Sequence, residues 1–283
     1  MNGSIALHGG GEYRNGDQPF LDALLEAAAA AALERSRLER TGRAMSRDSL
    51  RGAEDFDVLG HAADAVGAVG AIGTTIRIAI LPTAAGRGRP DRVAAMGRSA
   101  FERRSAATGR SATVVVARII DAADAGDPIE AERLASADLI HIPGGDPDLI
   151  PEILNGSLAL AAIQAARRRG AVVAGASAGA MALADWTWTA AGGSAGLGLV
   201  HGLAVVPHYD DVRRTAWQRT LDGLAPGGLG YLGLDERTGV IADLATLAGA
   251  GWRVVGGGTA LWFAPGSRDP IVGRHGDRLP VPI

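Results

Sequence analysis

Short β-branched runs alternate with alanine-rich stretches along this chain, and the alternation predicts an α/β fold. The expected form is three layers, a mostly parallel sheet with helices on both faces. Two further observations agree. Glycine is abundant, at 41 of 283 residues, while aromatics make up only 4%. That balance suits many tight strand-to-helix turns better than a β-sandwich. Apolar residues make up 47%, enough for a substantial core. The whole chain, 1–283, reads as one domain.

The runs Ser4–Leu7, Ile76–Leu81, Thr113–Val116, Leu139–Ile142 and Val172–Ala174 are continuous and apolar, as strands buried on both faces are. Between them Phe20–Arg35, Asp91–Ala106, Pro128–Ala135 and Leu158–Arg169 read as helices. Gly170 closes the last of these as a C-terminal cap. Leu203–Val206, Leu232–Leu234, Val240–Ala242, Arg253–Val255 and Ala260–Phe263 are shorter and joined by glycine-rich links. They are expected at the far edge of the same sheet, with an antiparallel extension. Residues from about 35 to 75 interrupt the pattern and read as an atypical insertion. Its arginines fit a solvated helix face better than an anion site.

Composition removes several function classes. The net charge of −3 is too close to neutral for a nucleic-acid binder. The absence of cysteine excludes disulfides, thiolate metal sites and a cysteine nucleophile. No run of about 18 apolar residues predicts a membrane span. The start of the chain lacks a basic, then apolar, leader. A cytoplasmic protein without metal or organic cofactor is the expectation.

The chemistry concentrates at Gly175-Ala176-Ser177-Ala178-Gly179. It follows an apolar strand and precedes Ala180–Ala184, which suits a helix. Strand, G-x-S-x-G, helix is the sequence form of a nucleophile elbow. The turn is tight, so glycines flank the serine, and the hydroxyl stands clear at the strand end. A serine needs a base. Of six histidines, His208 is the best candidate, because it stands where the strand Leu203–Val206 gives way to a polar segment. His141, inside an apolar run, reads as a core histidine. For the acid, Asp185 is the leading candidate, about two helical turns beyond Ser177. Asp210, Asp211 and the strand-end pair Asp235-Glu236 are the alternatives, as is a Ser-His pair with no acid partner. Oxyanion donors are expected at the Ala178 N–H and in the turn Gly144-Gly145-Asp146. There Asp146 is either a substrate contact or a helix N-cap. Arg213, with Arg214 and Arg219, either meets a substrate carboxylate or lies on a solvated helix. Trp186, Trp188 and Trp217 mark either core or a contact surface, and a homodimer is compatible with them.

These residues together resemble the dipeptidase E and cyanophycinase family of serine peptidases. The likeness rests on the elbow, the Gly144-Gly145-Asp146 turn and Pro207-His208-Tyr209-Asp210. It also covers the opening Ile5-Ala6-Leu7-His8-Gly9-Gly10-Gly11-Glu12, Ile78–Thr83 and Leu234–Thr238. The resemblance implies a fold like the class I glutamine amidotransferases, with serine in place of their cysteine. It implies hydrolysis of peptide or isopeptide bonds in short, often aspartyl, substrates. Ser177 would then be the nucleophile, His208 the base, and Gly145 and Ala178 the oxyanion hole, with no metal. Pro147 stands where cyanophycinases carry glutamine, which argues against cyanophycin itself as substrate. Two other classes compete: a non-catalytic peptide- or small-molecule-binding protein on the same fold, and an esterase or acyl transferase.

Overall fold

The computed structural model describes residues 2–51, 74–189, 192–210, 215–217, 228–242 and 251–281, with the side chains of 42–51 and of Thr189 outside that description. Its strands are β1 (Ile5–His8), β2 (Ile76–Ile80), β3 (Ala112–Val116), β4 (Leu139–Ile142), β5 (Val172–Ala176), β6 (Ala184–Thr189) and β7 (Gly192–Ala195). They continue with β8 (Val200–Val206), β9 (Gly230–Leu234), β10 (Thr238–Ala242), β11 (Trp252–Gly256), β12 (Ala260–Phe263), β13 (Ile271–Gly273) and β14 (Arg278–Leu279). The helices are α1 (Gln18–Arg51), α2 (Pro90–Ala107), α3 (Ala122–Ala125), α4 (Pro128–Ala135), α5 (Leu149–Leu154), α6 (Leu158–Arg168) and α7 (Ala178–Leu183).

The main sheet has eight strands in the order β14-β11-β10-β1-β5-β4-β2-β3. From β1 to β3 the pairing is parallel, and β10, β11 and β14 extend it antiparallel. Period-two alternation explains the layers. Ala6, Leu139, Val172 and Ala174 face one way, onto Phe20, Leu24 and Leu25 of α1 and Phe101 of α2. Ile5, Leu7, Ile140, Ile142 and Val173 face the other way, onto α4, α5, α6 and α7. Helices therefore cover both faces, as the sequence predicts.

One expectation is corrected. The strands β8, β9 and β12 do not lie at the edge of the main sheet. They join β13, β6 and β7 in a second, six-stranded sheet of order β13-β12-β9-β8-β6-β7. Leu203, Leu232 and Trp262 of this sheet share one apolar cluster with Ile5 and Val173 of the main sheet.

The atypical insertion also resolves differently in part. Its first section simply continues α1 to Arg51, and residues 52–73 lie outside the described residues. Arg35, read as solvated, is buried. Its Nε donates to Asp138 Oδ1 at 2.8 Å and its Nη2 to Oδ2 at 3.1 Å. Asp138 is fully buried and also accepts the Arg77 N–H. The pair anchors α1 at the start of β4. Arg35→Ala strands a buried carboxylate and is expected to cost about 3–5 kcal/mol. Urea unfolding of the two proteins measures it, and a loss under about 1 kcal/mol would show that Asp138 finds water instead.

Candidate active site

The elbow forms as its spacing requires. Ser177 follows the last residue of β5 and occupies the N-cap position of α7. Its backbone is strained, at φ 51° and ψ −115°, a region that a non-glycine residue enters only when its surroundings enforce it. The enforcement is steric. A methyl group on Gly175 would lie 2.4 Å from the Gly179 carbonyl oxygen, and one on Gly179 would lie 2.1 Å from that of Ile142. Serine at an N-cap normally bonds a helix N–H through its side chain. Here that bond is absent, and Oγ lies 3.0 Å from His208 Nε2.

His208 follows β8 and also has a positive φ, 52°. Its other ring nitrogen, Nδ1, lies 2.9 Å from Glu236 Oε1. Glu236 sits in the turn between β9 and β10. Serine, imidazole and carboxylate thus form a continuous chain. The side chains of His208 and Glu236 are about one-quarter to one-third exposed, at 27% and 34%, so the chain opens to solvent on one side.

The loop after β1 holds these parts together through its backbone. The His8 carbonyl accepts the Ser177 N–H, the Gly9 carbonyl the His208 N–H, and the Gly10 carbonyl the Arg237 N–H. Gly10 must be glycine. It has φ 106°, and a methyl group there would lie 2.3 Å from the His208 ring. Beneath the loop lies a buried polar chain. His8 Nε2 stands 2.9 Å from Asp17 Oδ1, with both side chains buried. Asp17 accepts the Tyr13 N–H at 2.8 Å, and the Tyr13 hydroxyl lies 2.7 Å from His141 Nδ1.

Burial drives the His141 pKa down to about 3, with a smaller push from nearby His8, and burial drives the Tyr13 hydroxyl up. His141 is therefore neutral in the fold, as a core histidine should be. In the unfolded chain it takes up a proton below about pH 6.5. Its contribution to stability is full above that pH and declines as pH falls toward 3, by up to about 1.4 kcal/mol per pH unit. His141→Asn should flatten the stability–pH curve between about pH 6 and 4, measured by urea unfolding. An unchanged slope would show that His141 is not the group responsible.

A pocket of about 370 Å³ opens over the site. Its lining includes Ser177, His208, Glu236, Gly144 and Gly145, together with Glu12, Tyr13, Arg14, Val93 and Met96. Gly144 donates its N–H to Glu12 Oε1 at 2.8 Å, and Asp146 donates its N–H to the Ala84 carbonyl. That leaves the Gly145 N–H between them with no protein acceptor among the described residues. Ala178 begins α7 directly after the serine, and an N–H in the first turn of a helix has no partner within it.

Two expected site residues lie elsewhere. Asp185 is not beside His208. The helix after the elbow stops at Leu183, and Asp185 falls on β6, where it accepts the Gly202 N–H and pairs with His201 at 3.0 Å. Asp146 does not line the pocket. It binds Arg87 at 2.8 Å and accepts the Asp148 N–H; the N-cap position of α5 is Asp148, so Asp146 closes the loop before the helix and does not cap it. Arg213 lies outside the described residues. Among the described residues no cluster of three or more metal-ligating side chains occurs, and no helix is long and apolar enough to cross a membrane.

The Peptidase family S51 model matches residues 52–242. A peptidase from an acI-B1 actinobacterium has a similar structure. Its TM-score is 0.67 at 20% identity, over 99% of this chain and 97% of that one. A second solved structure carries the name putative peptidase E and comes from Listeria monocytogenes EGD-e. It gives 0.43 at 15% identity, over 75% of this chain and 89% of that one. Only the first of the two bears on the fold. No curated protein sequence matches the chain significantly. With well over half its length matched by one family model, the chain belongs to peptidase family S51 and is a serine-type peptidase.

Proposed function

We propose that the protein hydrolyses peptide or isopeptide bonds of short substrates through an acyl-enzyme on Ser177. The observation that supports this most is the unbroken Ser177–His208–Glu236 chain at 3.0 and 2.9 Å. Glu236 accepts the His208 Nδ1–H, so Nε2 is the free base facing the serine hydroxyl. His208 takes the Ser177 proton as Oγ attacks the scissile carbonyl. The resulting oxyanion lies against the N–H groups of Gly145 and Ala178. His208 then returns the proton to the leaving amine, and water repeats the sequence to free the acid. The modest pocket of about 370 Å³, lined in part by Val93 and Met96, suits short substrates.

A fluorophosphonate probe tests the nucleophile directly. It should label the wild type and leave Ser177→Ala unlabelled; equal labelling of the two defeats the assignment. A panel of dipeptides and isoaspartyl dipeptides, scored by free amine released, tests the reaction.

A further inference from the structure

Tyr13 is held in an unfavourable backbone conformation that the steps above leave unused. Its φ is 67°, a region that a bulky residue enters only when its surroundings enforce it. Both ends of the residue are fixed. Its N–H donates to Asp17 Oδ2 at 2.8 Å, and its hydroxyl lies 2.7 Å from His141 Nδ1. Gly97 of α2 leaves room for that hydroxyl, since a methyl group there would lie 2.8 Å from it. The ring meets those of Phe101 and His141 at centroid separations of 6.4 and 5.4 Å. A residue fixed in this way also fixes its neighbour, and Glu12 reaches the Gly144 N–H at 2.8 Å.

The two contacts brace one short segment. His141 lies on β4, and Gly144 follows it at the start of the Gly-Gly turn. Adjacent residues of the β1 loop thus grip the turn and the strand that leads into it. The far end of the turn is secured separately. Asp146 donates its N–H to the Ala84 carbonyl at 2.7 Å, and a methyl group on Gly145 would lie 2.2 Å from that oxygen. Between these fixed ends stands the Gly145 N–H. Gly144 itself packs against the serine, because a methyl group there would lie 2.9 Å from Ser177 Cβ. A movement of the turn therefore changes where the Gly145 N–H stands relative to the hydroxyl.

We propose, resting on the serine-peptidase reading above, that Glu12 and Tyr13 are positioning residues for the oxyanion hole. Glu12 holds the Gly144 end of the turn so that the Gly145 N–H meets the oxyanion formed when Ser177 attacks. Tyr13, anchored on His141, aims Glu12. The work asked of Glu12 is that of an oxygen acceptor, which a glutamine amide also supplies. Alanine supplies none, and a Gly-Gly peptide released at one end has wide conformational freedom. A displaced donor weakens the transition state far more than it weakens substrate binding.

Fluorophosphonate labelling reads the oxyanion hole without a known substrate. Ser177 Oγ bonds phosphorus, fluoride leaves, the serine proton passes to His208, and the phosphoryl oxygen takes the oxyanion's place. Second-order labelling rates are compared for wild type, Glu12→Ala, Glu12→Gln and Tyr13→Phe, each confirmed folded by urea unfolding. Glu12→Ala should label about ten- to a hundredfold more slowly than wild type, and Glu12→Gln should return to within about threefold of it. Tyr13→Phe keeps the ring but loses the anchor, and should label about three- to tenfold more slowly. On the best dipeptide of the panel the slowed variants should lose kcat, with KM within about twofold of wild type. The midpoint of the labelling rate against pH, which reports His208, should not move. Labelling of Glu12→Ala within about twofold of wild type, a Glu12→Gln as slow as Glu12→Ala, or a shifted midpoint overturns the role of Glu12. If Glu12→Ala does not fold, Tyr13→Phe decides, and wild-type labelling in it overturns the brace. A wild type that does not label at all defeats the serine-peptidase reading instead.

Discussion

Replacing Ser177 with alanine is expected to lower kcat by about 10⁴ to 10⁶. No other group in the pocket can take over as nucleophile. Glu12 and Glu236 are bound to Gly144 and His208. The hydroxyl of Tyr13 is held against His141, with its pKa raised by burial. What survives in the variant is the catalysis that oriented N–H groups and bound substrate can supply. Steady-state kinetics on the best dipeptide of the panel measures the loss. Retention of more than about a tenth of the wild-type rate would mean that Ser177 does not carry the reaction.

The second large effect falls on Glu236. Glu236→Gln preserves the side-chain shape but can present an N–H to His208 Nδ1, which favours the wrong ring tautomer and removes the stabilisation of the imidazolium. A fall in kcat of about 10³ to 10⁴ is expected, with KM little changed. Asp185→Asn is the control. Its carboxylate serves His201 and Gly202 on the second sheet, so its kcat should stay within about twofold of wild type. If Asp185→Asn proves the more damaging change, the chain seen at His208 is not the working one.

How far the site is legible in the sequence follows from which of its causes are local. The elbow is legible because its pattern of glycine on both sides of Ser177 fits a five-residue window, although Gly175 is required by the Gly179 carbonyl inside the turn and Gly179 by Ile142 on the neighbouring strand β4. His208 is legible because a polar residue ending an apolar strand is a local sign too. Glu236 carries the same sign after Leu232–Leu234. Its choice over Asp185 depends on β9 lying beside β8 in a second sheet, which no nearby residue announces. Asp185 as the acid requires the helix to continue past Leu183. Trp186-Thr187-Trp188-Thr189 alternates apolar and polar with period two, and that pattern marks the strand that stands there instead. Arg35 shows the same limit in the fold. Its partner Asp138 is 103 residues away, and only the packing of α1 on the sheet turns a surface-like arginine into a buried one.

The position of β1 has a consequence for how the molecule is made. Ile5 pairs with Val173 on one side and with Ala242 on the other. The strand leaves the ribosome well before either of the strands it pairs with. Until they arrive its apolar side chains, and the carbonyls that will hold Ser177, His208 and Arg237, remain uncommitted. Contacts of such long sequence separation form slowly, because the intervening chain must first be ordered. The strained turn at Ser177 thus acquires its backing only when distant segments of the polypeptide have met.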